Sequence, residues 1–133
     1  MNTKRYVLGS LAVFVFIFVF EWVLHGQILA GLYEQTMEVW RPKEGMADYM
    51  GWMVAGQLLF AFIFGYIFLK GYENKGVGEG FRYGILIGLL FAPAQLIWYA
   101  VLPIPLTLAI GWLGGAIIEM ALAGVVLAAV YRK

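Results

Sequence analysis

The sequence predicts an all-α, polytopic membrane protein. The expected fold is an antiparallel four-transmembrane-helix bundle with an amphipathic helix at its outer interface. Three observations predict it. Four apolar runs each reach the roughly 20 residues that cross a bilayer core. The chain is 63% apolar and only 13% charged, whereas soluble domains sit nearer about half apolar and about a quarter charged. The basic residues also divide unevenly among the loops that these runs define. Helices are expected because backbone groups in lipid must be satisfied within their own segment, and no alternating barrel pattern is present.

At 133 residues, the chain reads as one integral membrane domain, 1–133. The first span is expected at about 6–24, Tyr6 to Leu24. Lys4 and Arg5 precede it as in a signal peptide. The run is too long for a signal core, though, and no small-x-small site follows, so an uncleaved helix is expected. The second span falls at about 50–69, the third at 81–102 and the fourth at 104–131.

Between the first two spans, Ile28, Leu29, Leu32, Tyr33, Met37 and Trp40 recur at helical spacing. They predict an interfacial amphipathic helix, or an extension of the first helix bent near Gly26 or Gly31. Arg41-Pro42 ends it. Such a segment lids the bundle or covers an outward-facing cavity. The stretch KGYENKGVGEG at 70–80 predicts a flexible turn from its glycines. It lacks the order of a phosphate-binding loop. Pro103-Ile104-Pro105 predicts a tight turn that makes the last two helices a hairpin.

Orientation follows from Lys and Arg. With the N-terminus inside, Lys4, Arg5, Lys70, Lys75, Arg82, Arg132 and Lys133 are cytoplasmic, and only Arg41 and Lys43 lie outside. Both termini are therefore expected in the cytoplasm. Trp22, Trp40, Trp52, Trp98 and Trp112 fall in the outer half, as an interfacial belt or as core packing.

Small residues form stripes. Gly84 and Gly88 lead to Ala92, Gly111 and Gly115 lead to Glu119, and Gln57, Ala61 and Gly65 share a face. Spacing of four lets helix backbones approach closely. Pro93 predicts a kink, since it removes one hydrogen bond inside the third helix.

Each span carries one strongly polar residue: Glu21, Gln57, Gln95 and Glu119. Counted from the inner ends, they lie twelve to fifteen residues deep, or roughly 18–23 Å at the helical rise. A common depth on the small-residue faces predicts an inward polar layer. His25, one turn beyond Glu21, is placed to bond it and to link the layer to outer water. A carboxylate near the bilayer centre costs about 2.5–3.5 kcal/mol on insertion scales, so an inward position is favoured.

No cofactor is expected. Without Cys there is no disulfide or thiolate metal site, and one His cannot supply a multi-histidine metal or haem site. No basic patch points to nucleic acid. No Ser/His/Asp set or HExxH motif suggests an enzyme.

The segments His25-Gly26-Gln27-Ile28-Leu29-Ala30-Gly31-Leu32-Tyr33, Trp40-Arg41-Pro42, Lys70-Gly71-Tyr72-Glu73 and Glu79-Gly80-Phe81-Arg82-Tyr83-Gly84 carry a resemblance. Together they resemble an uncharacterised group of small bacterial four-helix integral membrane proteins, hypothetical proteins with no assigned function. The resemblance implies a bacterial inner-membrane setting. The leading expectation is a non-enzymatic accessory or structural subunit, as a homo-oligomer or within a larger membrane complex. The alternative is proton, ion or small polar solute transport through the Glu21, His25, Gln57, Gln95 and Glu119 layer. A subunit should leave its small-residue faces open, whereas a transporter needs a cavity that reaches Glu119.

Overall fold

The structure, a computed structural model, describes residues 1–132. Helix α1 (Thr3–Val23) starts at Asn2, whose side chain accepts a hydrogen bond from the Arg5 amide at 3.1 Å. That cap satisfies one of the backbone donors a helix start leaves unpaired. The helix runs on through a π turn, Leu24–Ile28. Two short helices follow, α2 (Ala30–Glu34) and α3 (Lys43–Met46), with tight turns at Met37–Val39 and Ala47–Tyr49. Then come α4 (Met50–Lys70), α5 (Val77–Val101) and α6 (Leu106–Val130). No strand occurs among the described residues.

Four helical stretches are long and apolar enough to cross a membrane: Thr3–Ile28, Lys43–Lys70, Val77–Val101 and Leu106–Val130. The chain is thus an all-α, multi-pass membrane protein. The expected limits fall within four residues of α1, α4, α5 and α6. The largest difference is at α5, which begins at Val77 rather than Phe81.

Two local expectations are corrected. The connection between the first two spans is a series of short turns, not one amphipathic helix. The first helix extends through the π turn to Ile28, and its break falls at Leu29, between the expected Gly26 and Gly31. Trp40 then takes an extended conformation before Arg41-Pro42, where a helix cannot continue. The glycine-rich turn after α4 is also more ordered than its composition suggests. The Glu79 carboxylate accepts hydrogen bonds from the Glu73 and Lys75 amides, at 2.6 and 2.7 Å. Lys75 also pairs with Glu73, holding that exposed carboxyl below its usual range. The left-handed Gly76, φ 78°, suits a residue without a Cβ.

Helix α6 is central. It buries ten residues against four in each of α1, α4 and α5. The closest packing is α5 on α6. On α5 the buried stripe is Gly80, Gly84, Gly88 and Ala92. A Cβ on Gly84 would collide with the Met120 carbonyl, and one on Gly80 with the Gly124 carbonyl. At Gly88 it would lie 2.8 Å from the Ile117 Cα. Backbone meets backbone along this seam, so nothing can give way. The expected role of Gly84 and Gly88 is met within the chain.

Helix α1 packs on α4 through the expected Ala61 and Gly65 face. A Cβ on Gly65 would fall 2.8 Å from Ser10 Oγ. Tyr6 Oη donates to the Phe62 carbonyl at 2.8 Å, and the Asn2 amide donates to Tyr131 Oη at 2.9 Å, joining the two termini. These contacts make α1 antiparallel to α4 and to α6.

Two apolar cores result. Val13, Ile17, Ala61, Phe64, Phe68, Met120, Ala123, Leu127 and Ala128 fill the end that carries the termini. Leu29, Ile104, Leu108 and Ala109 form a smaller core at the opposite end. Helices α4 and α5 scarcely meet backbone to backbone. Aromatic rings bridge them instead, with Phe64 and Tyr83 at 4.8 Å and Phe60 and Phe91 at 5.7 Å. Large side chains such as Trp52, Leu90, Ile97 and Val101 face outward, as lipid-facing residues do.

Candidate functional site: a polar cavity between the two cores

Between the two cores lies a cavity of about 700 Å³. All five polar residues expected from the sequence line it: Glu21 and His25 from α1 and its π turn, Gln57 from α4, Gln95 from α5 and Glu119 from α6. The common depth along the four helices is what brings them together. No Lys or Arg is among the lining residues.

Glu119 sits deepest, at 6% exposure. It lies within hydrogen-bonding reach of Glu21. Two carboxyl groups can share a hydrogen bond only if one of them carries a proton. From Glu21 the polar contacts continue towards the end opposite the termini. His25 Nε2 is 2.8 Å from Glu21 Oε2, and His25 Nδ1 is 2.5 Å from Tyr33 Oη. Trp112 Nε1 donates to the same Tyr33 oxygen at 2.6 Å. With its lone pair engaged by Trp112, Tyr33 directs its own proton to His25 Nδ1. His25 Nε2 then carries the ring proton and donates it to Glu21. The result is a hydrogen-bonded row of Glu21, His25 and Tyr33, with Glu119 beside its inner end.

The row is graded in exposure. The Glu21 and His25 side chains are about one-third exposed, 33% and 34%, while Glu119 is almost fully enclosed. The His25 end is the more exposed, and the larger core lies on the other side. Tyr33 is held neutral. Burial pushes its hydroxyl up to about 12, with the nearby Glu21 charge acting the same way against the Trp112 hydrogen bond.

The π turn sets this geometry. Its wider winding shifts side chains relative to an α-helix and leaves Leu24 and Leu29 pointing at α6. There they fill the spaces over Gly115 and Gly111. A Cβ at Gly111 would be 2.9 Å from Leu29 Cδ2, and one at Gly115 would be 2.5 Å from Leu24 Cδ2. These two glycines therefore receive leucine side chains from the end of the first span, rather than the close backbone contact expected there. Pro93 lies inside α5, two residues before Gln95, and α5 continues past it to Val101.

Sequence reasoning missed the tyrosine and the three tryptophans of the wall, Tyr33, Trp40, Trp98 and Trp112. Tyr33, Trp40 and Trp112 form one aromatic cluster, with ring centroids 5.3–6.4 Å apart. Trp40 Nε1 donates to Thr36 Oγ1 at 3.0 Å, and Thr36 Oγ1 donates to the Leu32 carbonyl at 2.9 Å. The expected belt thus divides. Trp22, Trp52 and Trp98 are exposed, while Trp40 and Trp112 turn inward with their N–H groups bonded inside. The signal available was the Tyr33 and Trp40 pair on one face of the connecting segment.

Two acceptors in the cavity have no partner: Gln57 Oε1 and Glu119 Oε2 are buried without a hydrogen bond. Ser10 Oγ, in the larger core, is the third such atom among the described residues. No group of three or more His, Asp or Glu side chains suited to a metal ion occurs among the described residues.

Searches with the chain found no matching family model, no matching curated protein and no matching solved structure.

Proposed function

We propose that this protein is a small, non-enzymatic transport protein of a bacterial inner membrane that moves a proton and a small polar solute through the Glu21, His25, Gln57, Gln95 and Glu119 cavity. One observation carries the reading. A cavity of about 700 Å³ reaches the buried Glu119 beside Glu21, and a hydrogen-bonded row leads from Glu21 through the one-third exposed His25 to Tyr33. In this reading the Glu21–Glu119 pair takes up and releases the proton, and His25 and Tyr33 pass it along. The larger apolar core is the gate that must open for passage to the other side. The Lys and Arg distribution orients both termini to the cytoplasm, so the cavity faces outward.

The small-residue faces favour this reading over a structural subunit. Gly84, Gly88, Gly111 and Gly115 are occupied within the chain, so they do not await a partner helix. A subunit or homo-oligomer role keeps one supporting feature, the gap between α4 and α5 that a further helix would fill.

The test is proton flux into liposomes that hold the purified chain and an internal pH dye. Under an imposed pH gradient and a clamped potential, wild type should equilibrate faster than protein-free liposomes. Glu119→Gln should lose the difference while keeping its helicity and its elution as a folded species. Equal rates for wild type and protein-free liposomes would sink the transport reading.

A further inference from the structure

We infer that the cavity binds an amphipathic organic ammonium ion, a protonated amine on an apolar body, whose charged head seats on Glu119 and displaces the proton of the carboxyl pair. This names the solute class and rests on the transport reading for its physiological use, though not for the binding itself.

The donors around the Glu21 end of the cavity are committed. His25 bonds Glu21 and Tyr33, Trp112 Nε1 bonds Tyr33, and Trp40 Nε1 bonds Thr36. The uncommitted buried atoms are acceptors, Glu119 Oε2 and Gln57 Oε1. Glu119 is more than nine-tenths buried. A buried acceptor without a donor is costly, and a ligand that supplies N–H groups removes that cost. An anion would be placed against the Glu21 and Glu119 carboxyl groups with no Lys or Arg in the wall to offset them.

Charge and shape point the same way. The titratable groups facing Glu119 are Glu21 and His25 from α1 and Tyr33 from α2, while α4 and α5 contribute only the amides Gln57 and Gln95. No fixed positive charge competes with a cation. The remaining wall is rich in aromatic faces, including Phe60, Phe91, Trp98 and Trp112, which attract cations and cover apolar bodies. The volume of about 700 Å³ lies in the range of small-molecule pockets, roughly 300–1,000 Å³. Metal ions lack the ligand set.

Binding then exchanges one cation for one proton. The head group needs a carboxylate, so affinity rises with pH while the pair is protonated, by up to about tenfold per unit for a one-proton exchange.

The experiment is calorimetric titration of the full chain in lipid nanodiscs with 2-phenylethylammonium, beside its uncharged analogue 2-phenylethanol, in buffers of different ionisation enthalpy. The expected result is saturable amine binding with release of close to one proton, and no saturable binding of the alcohol. Glu119→Gln should abolish proton release and weaken binding at least tenfold. Gln57→Leu, which leaves the carboxyl pair intact, should weaken binding severalfold and keep proton release. It carries the test if Glu119→Gln fails to fold. Equal binding of amine and alcohol, or amine binding unchanged in both variants, would overturn the inference. Amine binding without proton flux in liposomes would remove the transport reading and leave this site standing. Flux without amine binding would do the reverse.

Discussion

The two ends of the bundle are built from the same four helices by opposite means. At the end carrying the termini, side chains are removed: Gly80, Gly84 and Gly124 let α5 and α6 touch backbone to backbone, and a continuous apolar core fills the rest. At the other end, large rings hold the helices apart. Phe60, Phe91, Trp98 and Trp112 line the cavity, and the smaller core lies beyond it. A membrane helix gains little from apolar burial alone, because lipid is equally apolar. Close packing fixes the first end, and hydrogen bonds among Glu21, His25, Tyr33 and Trp112 fix the second. The closed end anchors the fold, while the other end leaves a cavity.

The comparison predicts that the closed end is the intolerant one. Gly84→Val should have the largest effect, a loss on the order of 3 kcal/mol or more, since its side chain would enter the Met120 backbone. Denaturant unfolding in detergent micelles checks it. A near-neutral result would mean that the seam is not as close as described. Tyr33→Phe, at the open end, should cost about 1–3 kcal/mol. It leaves Trp112 Nε1 and His25 Nδ1 without their shared oxygen. Trp112 should also report the lost hydrogen bond as a change in its fluorescence.

Tyr33 gives the open end a pH signature as well. Its folded value, about 12, is above its ordinary 10.0. The folded state holds the proton more tightly, so the contribution is complete below about pH 10 and is lost as pH rises to about 12. Ultraviolet titration of the wild type against Tyr33→Phe should show one tyrosine ionising late. Stability should fall more steeply across that window in the wild type. The smallest effect belongs to Gly114→Ala. Nothing lies within 4 Å of the added methyl, so the helix should gain up to about 1 kcal/mol from propensity. A loss there would reveal packing that the monomer lacks.

The sequence made the cavity legible through depth. Counting residues from the helix ends placed Glu21, Gln57, Gln95 and Glu119 in one layer, and that layer lines one cavity. Depth is readable because the helical rise is fixed. Facing is harder, since α1, α4, α5 and α6 are apolar nearly all round and periodicity does not mark the inner side. Gly84 and Gly88 were identifiable as packing residues by their spacing. Gly111 and Gly115 have the same spacing but receive Leu29 and Leu24, because the π turn at Leu24–Ile28 leaves no sequence pattern. The same turn hid Tyr33, which meets His25 only once it forms, and with it Trp112, which donates to Tyr33. The Glu79 bonds to two loop amides were also hidden, as glycine content reports flexibility and not what restrains it.

The central claim is that the polar layer is reached by water from one end and sealed from the other. The chain has no cysteine, so single cysteines can be placed without a background. Gln57→Cys and Gln95→Cys in sealed, oriented vesicles should react with a membrane-impermeant thiol reagent only from the face opposite the termini, while Ala61→Cys and Ala123→Cys should react from neither. Reaction of the cavity positions from the termini side, or equal reaction at all four positions, would contradict it.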